Sequence, residues 1–467
     1  MAKSPRARTL GELKKACYQP LSVKQELRKN LVVKIRKGER LFKGIVGYEE
    51  TVVPQIENAI MSGHDLIFLG ERGQAKTRLI RSMVELLDEY LPIVEGSEIN
   101  DDPFSPASKY AKQQIEEHGD KTPLTWVHRS ERYSEKLATP DTTMADLIGD
   151  VDPIKVAEGR YLSDELTIHY GMIPRANRGI FCINELPDLM ERIQVGMFNL
   201  MEERDIQIKG HRVQLPLDVY VVASANPEDY TNRGRIITPL KDRYGSLVRT
   251  HYPKQVADEI AIVDQETSID ERIDIPVSVP AYMKEIIAEI TALARRSPDV
   301  NQRSGVSVRV SICNYETMVS NALRRSIRLK DVPAVPRITD LPALVASTVG
   351  KIEMEGIEEG REGRILDELV KKAVLNAFSR NVNAQDLEPL VARFEQGLAI
   401  DVSENTPAKA YVKQLTQVPE FREPIQSLHV QEDAPSIASA MEFILEGLHL
   451  NRRLNRETVE GSYRYRG

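Results

Sequence analysis

The sequence predicts an α/β protein, with a mostly parallel sheet in its first half and an α-helical region in its second. Two observations carry this. Between residues 42 and 253, short apolar and β-branched runs alternate with helical and loop segments, the pattern left by strand–helix repeats. After Pro253 the apolar period lengthens from about 2 to about 3.6 residues, so that in "PAYMKEIIAEITALARRS" Met283, Ile286, Ile287, Ile290, Leu293 and Ala294 share one face.

The first forty residues hold twelve Lys or Arg against three Glu, in a chain of net charge -7, and residues 1–41 are expected as a basic arm. Residues 42–254 form the predicted α/β domain. Its strands are "HDLIFLG" (His64–Gly70), "PLTWVHR" (Pro123–Arg129), "GIFCIN" (Gly179–Asn184), "VYVVASAN" (Val219–Asn226) and "SLVRTHYP" (Ser246–Pro253). The alternation in "DIQIKGHRVQLP", with Lys209-Gly210 at its centre, predicts a β-hairpin. "NDDPFSPASKYAKQQ" reads as a flexible excursion, and Trp126 as core. Residues 255–330 are expected to be helical. Residues 331–467 begin with a Pro-, Gly- and Glu-rich linker to about Gly363 and continue in the helical stripes "ILDELVKKAVLNAF" and "SIASAMEFILEGLHL".

A hydrophobic fraction of 41% supports packed cores, and the acidic balance argues against a dedicated nucleic-acid partner. Cys17, Cys182 and Cys313 lack C-x-x-C spacing, which predicts neither disulfides nor a zinc site and fits a reducing cytoplasm. No apolar run approaches the length of a membrane span, and no secretory leader pattern is present.

"FLGERGQAKTRLI" follows a strand and opens a helix. A phosphate-binding loop needs inward backbone N–H groups, a Lys for the β and γ phosphates and a hydroxyl for Mg²⁺; Gly70, Gly73, Lys76 and Thr77 supply these at the required spacing. Gln74, Ala75 and Arg78 complete the loop. Ala75 stands where a glycine is usual, and the loop is expected to form if Ala75 takes a right-handed helical conformation. The strand "GIFCIN" delivers Asn184 and Glu185 to its C-terminal tip, where ligands of open α/β sheets bind. Glu185 can polarise water. Asn184 keeps an oxygen for a Mg²⁺-bound water but lacks an acid's charge. Asn226 ends the next strand, where it serves either the site or a turn before Pro227.

In this order and spacing, residues 42–324 resemble the AAA+ ATPases, in the branch that holds the magnesium-chelatase ATPase subunit and the MoxR-like ATPases. The resemblance implies a P-loop sheet core with a helix-2 insertion ("GRYLSDELTIHYGMIPRANRGIF") and a pre-sensor hairpin ("IQIKGHRVQLP"), followed by an α-helical lid and a C-terminal helical region. It makes "GERGQAKT" the Walker A loop and "IFCINE" the Walker B strand, and puts Ile45, Val46 and Gly47 of "GIVGYEETVVPQI" near adenine. It further makes Asn226 the first sensor, Arg243 of "PLKDRYG" the arginine finger and Arg309 of "SGVSVRVSI" the second sensor. Ser307 is a candidate N-cap for the helix of Arg309. An Arg finger acting across subunits implies a homo-oligomeric ring, and the family a hexamer. Arg243 can otherwise pair with Asp242. Arg175 and Arg178 are read as contacts to a neighbouring subunit or nucleotide, and Asp164, Glu165 and His169 as solvated rather than metal-binding.

The expected function is Mg²⁺-dependent ATP hydrolysis, slowed by Ala75 and Asn184, that remodels a partner: a von Willebrand factor A domain protein, as for MoxR-like ATPases, in preference to chelatase subunits. The alternative is a nucleotide-gated assembly scaffold with little turnover. A DNA motor fits the charge balance poorly.

Overall fold

The computed structural model describes residues 7–152, 154, 157, 164–203, 205–207, 214–227, 234–268, 274–355, 361–459 and 462–467. The chain divides into two compact units, Met1–His251 and Tyr252–Gly467.

The basic N-terminal stretch is folded into the first unit. It supplies α1 (Leu10–Lys15) and α2 (Val23–Arg36), the latter started by a capping box between Ser22 and Gln25. Leu27 and Leu31 of α2 are fully buried, while its basic residues Lys34 and Arg36 lie in the last turn, where they suit the helix dipole. Glu26 of the same helix makes a buried bidentate pair with Arg132, at 2.8 and 2.6 Å. From residue 7 onward the basic stretch is therefore packed along the domain that follows it.

Three further helices matter for the site: α3 (Val53–Ser62), α4 (Lys76–Ser82) and α5 (Lys109–His118). The strands of this unit are β1 (Leu66–Leu69), β2 (Tyr90–Val94), β3 (Leu124–His128), β4 (Tyr133–Leu137), β5 (Gly149–Val151), β6 (Ile168–Tyr170), β7 (Gly179–Asn184), β8 (Asp205–Gln207), β9 (Gln214–Pro216), β10 (Val219–Ala225) and β11 (Ser246–Arg249). A five-stranded sheet runs β11-β1-β10-β7-β4, every neighbouring pair parallel. Strands β7 and β10 are buried at every position, which explains their continuous apolar runs. Alternate residues feed two cores: Ile67, Phe181, Ile183 and Val221 on one face, Phe68, Ile180, Cys182 and Val222 on the other.

Two sequence expectations change here. The run 123–129 leaves the main sheet and pairs antiparallel with β2, and Trp126 is only half-buried, its Nε1–H donating to the Ala7 carbonyl at 2.8 Å. The edge of the main sheet is instead β4, whose sequence "YSEKL" is too polar to announce a strand. The predicted excursion around residues 100–114 is ordered by a buried carboxylate. Asp101 accepts from the Ala107 and Ser108 amides at 2.7 and 2.8 Å, just before α5. Strands β8 and β9 pair antiparallel as the ends of the predicted hairpin; Lys209-Gly210 at its centre, and residues 159–163 of the predicted insertion, lie outside the described residues.

The second unit is built on the helices Ala281–Ala294, Arg309–Leu329, Arg361–Asn381 and Ala434–Leu450. Their apolar faces meet in one core that includes Ile286, Ile287, Met318, Phe378 and Phe443. The helical reading lacked a small antiparallel sheet, β12 (Ala399–Val402), β13 (Asn455–Val459) and β14 (Ser462–Arg466), in the order β12-β14-β13. The start of the predicted linker is also core: Arg337 and Asp340 are fully buried, and a 3-10 helix spans Ile338–Leu344. Among the described residues, no helix is long and apolar enough to cross a membrane.

Candidate functional site

The loop between β1 and α4 is built by backbone geometry. Gly73 has φ 75° and Ala75 φ 55°, so the chain turns twice through left-handed conformations before α4 begins at Lys76. Ala75 does not adopt the right-handed conformation expected of it. A β-carbon in this region costs about 1–2 kcal/mol, strain the rest of the loop must hold in place.

What holds it comes from distant residues. Gln74 Oε1 accepts from the Glu71 amide at 3.0 Å and from Thr250 Oγ1 at 2.7 Å. A Cβ on Gly70 would lie 1.8 Å from Thr250 Oγ1, so this position must be glycine for the clamp to close. The Tyr48 hydroxyl donates to the carbonyls of Gln74 (3.0 Å) and His251 (2.7 Å), and burial pushes its pKa up to about 12, which keeps it a donor. Tyr48 thereby ties the segment of Ile45, Val46 and Gly47 to the loop. Ile45 itself is buried in the core with Tyr48, while Val46 and Gly47 are half-buried.

Lys76 is 8% exposed, and its Nζ donates to the Gly70 carbonyl, to the Glu71 carbonyl at 2.8 Å and to Asn226 Oδ1 at 2.7 Å. The Asn226 amide in turn donates to Glu185 Oε2 at 2.6 Å. Asn226 is thus the middle of a line that joins the loop lysine to the acid at the tip of β7. Thr77, half-buried, and Arg78, exposed, are the next residues of α4.

At the end of β7, Asn184 is 8% exposed. Its Oδ1 accepts from Ser224 Oγ at 3.1 Å and from the Cys182 thiol at 3.5 Å, and its amide donates to Glu135 Oε1. Burial pushes the Cys182 thiol up to about 12, so it remains protonated. Burial opposes the charge of Glu135, but hydrogen bonds from Arg81 and Tyr133, the Arg81 charge and the Asn184 amide outweigh it and hold the carboxyl below its ordinary range. Glu185 takes a left-handed conformation, φ 55°, and its backbone amide donates to Ser224 Oγ at 3.3 Å.

The two remaining arginines lie elsewhere. Arg243 ends the helix Thr238–Arg243 of the first unit. It pairs with Glu202 rather than Asp242, at 3.0 Å from Nε, and its guanidinium sits 4.5 Å from the centre of the Phe198 ring. Arg309 belongs to the second unit, exposed at the first position of its helix; the N-cap is Val308, while Ser307 Oγ accepts from the Arg309 amide at 3.2 Å. Arg178 is buried, donating to the Pro92 carbonyl at 2.8 Å, and so is core structure rather than a contact residue. Lys109 donates to Asp164 Oδ1 at 2.8 Å, and no group of three or more His, Cys, Asp or Glu that could hold a metal occurs among the described residues.

These positions can be set beside known proteins. The chain is 26% identical over 268 residues to the magnesium-chelatase subunit ChlI of Nostoc sp., covering 55% of this chain and 64% of that protein. The same subunit of Nephroselmis olivacea is 25% identical over 295 residues (58% and 75%), and that of Guillardia theta 29% over 244 (49% and 62%). The family of the Sigma-54 interaction domain matches residues 158–241. The chain is thus similar to the magnesium-chelatase subunit over about half its length and to the Sigma-54 interaction domain over residues 158–241. The match spans less than two thirds of the Nostoc and Guillardia proteins. Among solved structures, this chain aligns with NtrX from Brucella abortus at TM-score 0.40 and 15% identity, over 75% of this chain and 67% of that one, a likeness too loose to add to the sequence match.

Tyr48, Thr250, Ser224 and Glu135 escaped the sequence reading. Only Thr250 left a signal, a polar residue closing an apolar strand.

Proposed function

We propose that this chain is a Mg²⁺-dependent ATPase of the AAA+ kind, working in a ring and driving changes in a partner protein. The observation that carries the reading is the line Lys76–Asn226–Glu185, which ties a phosphate-loop lysine to an acid through one amide. A scaffold that only bound nucleotide would have no use for the acid end of that line.

The residues present fit the nucleotide. The loop backbone is clamped at Gly70 and Gln74, α4 starts at Lys76, and the Thr77 hydroxyl stands in its first turn. Bound Mg²⁺ would supply charge neutralisation for the β and γ phosphates and order the waters around them. Thr77 would hold it directly and Asn184 through a water. Glu185 would orient and polarise the attacking water, Asn226 would keep Glu185 and Lys76 in register, and Ile45, Val46 and Gly47 would flank the base. Arg243 would serve a neighbouring subunit, leaving its pairing with Glu202 to do so, and Arg309 would read nucleotide state. Chelatase-type partner subunits are favoured over a MoxR-type von Willebrand factor A partner by the names of the relatives. A hexamer is what the family resemblance implies, and the scattered cysteines fit a reducing cytoplasm.

The test is steady-state ATP hydrolysis with Mg²⁺ across protein concentration. The specific rate should rise as the chain assembles and fall by about 10²–10³ in Glu185→Gln, the scale of losing one group aimed at the transition state. Tight ATP binding with turnover no higher than that of Glu185→Gln would leave the scaffold reading instead.

A further inference from the structure

The tip of β7 ends in an uncharged amide, yet a carboxylate reaches it from the neighbouring strand. Glu135 on β4 is level with Cys182, and Leu137 with Asn184. Neighbours in register project to the same face of a sheet, which puts Glu135, Cys182 and Asn184 together on one side. There Glu135 Oε1 accepts the Asn184 amide, and the other side of that amide leads through Ser224 to the Glu185 backbone.

Glu135 also meets α4. Arg81 donates to it from Nε at 2.8 Å and from Nη2 at 3.1 Å. Arg81 follows Thr77 by four residues and so shares its helix face. The carboxylate therefore sits on the flank of α4 that carries the Thr77 hydroxyl. The side chain of Glu135 is 19% exposed, while that of Arg81 is 64% exposed, a counter-ion that water can replace. The residue at position 184 fits the same logic. An Asp there would press a second carboxylate against Glu135, whereas Asn turns the contact into a hydrogen bond.

We propose that Glu135 is a positioning acid for the divalent cation that accompanies nucleotide: it supplies, through the Asn184 amide, the negative charge that β7 itself lacks, and Arg81 competes with the cation for it. The charge is moved one strand outward rather than lost. This rests on the reading of residues 70–77 as a nucleotide loop.

The experiment measures the affinity of the full chain for a slowly hydrolysed ATP analogue, with and without Mg²⁺, and takes the ratio as the metal increment. Glu135→Gln is expected to cut that increment about tenfold, as for one charge acting through a water layer. Glu135→Gln with Asn184→Asp should restore it by returning the charge to β7, and Arg81→Gln should enlarge it. A purely structural Glu135 would instead lower the melting temperature, leave the increment intact and gain nothing from Asn184→Asp; that result overturns the proposal. If Glu135→Gln does not fold, Arg81→Gln decides: an enlarged increment supports the role and an unchanged one removes it. A natural chain that binds the analogue neither with nor without Mg²⁺ would take down the nucleotide-loop reading itself, whereas binding with an increment indifferent to Glu135 and Arg81 removes only the present proposal.

Discussion

Both units bury charged side chains, and they do so to different ends. In the second unit, Arg325 pairs with Asp340 at 2.8 Å, Arg337 with Asp331 at 3.3 Å, and Tyr411 donates to Glu442 at 2.7 Å; every one of these groups is at most 8% exposed. These ion-paired groups are themselves enclosed, and the neutral Asn321 links Asp340 to the exposed Arg324. In the first unit, the buried Lys76 and Asn226 lead outward to a half-buried Glu185, and the buried Asn184 leads to Glu135 and the exposed Arg81. The same chemistry fixes a fold where the paired charges are themselves enclosed, as in Glu26–Arg132 of the first unit too, and prepares a site where a charged member, Glu185 or Arg81, is open to water.

Breaking the enclosed ion pairs of the second unit should have the largest effect on stability. Arg337 also lies 4.0 Å from Glu442, so Arg337→Met leaves both Asp331 and Glu442 buried without that cation, and urea denaturation should show a loss of about 3–5 kcal/mol. Affinity for ATP, measured while the protein is still folded, should not change. A variant that loses both would erase the contrast between the networks. The opposite result is expected of Lys76→Ala. Nucleotide affinity should fall by about 100-fold, because the phosphates lose their buried cation, with stability moving by less than about 1 kcal/mol. The smallest effect should come from Ala75→Gly, which relieves the left-handed β-carbon. A gain of up to about 1 kcal/mol in stability, read from the denaturation midpoint, would locate stored strain in the loop.

How much of this was legible depended on where each residue drew its signal. The loop 70–77 and the strands β7 and β10 were readable because their chemistry is local: glycines and Lys-Thr at fixed spacing, and runs apolar at every position because both faces are covered. Strand β4 was not. It is an edge strand with one neighbour, so its polar "YSEKL" lacked the apolar run by which its partners were found, and Glu135 stayed hidden with it. Arg178 misled for the reverse reason. An arginine in a loop reads as exposed, but here its Nη1 donates to the Pro92 carbonyl and its Nη2 lies 3.7 Å from Asp102 inside the unit. Tyr48 and Thr250 act on a loop far from them in sequence, contacts that exist only once the sheet has formed. The small sheet β12-β14-β13 was masked by the stronger helical stripes before it and between its strands.

The clamp on the loop has a mechanical meaning. The chain leaves the first unit through Thr250 and His251, and these same two residues grip the loop, one by its side chain on Gln74 and the other by its carbonyl on Tyr48. The segment that leaves β11 and the loop are therefore tied by hydrogen bonds through Gln74 and Tyr48. A ligand that reshaped residues 70–75 would pull on the point where the polypeptide passes onward, and a pull at that point would be felt in the loop.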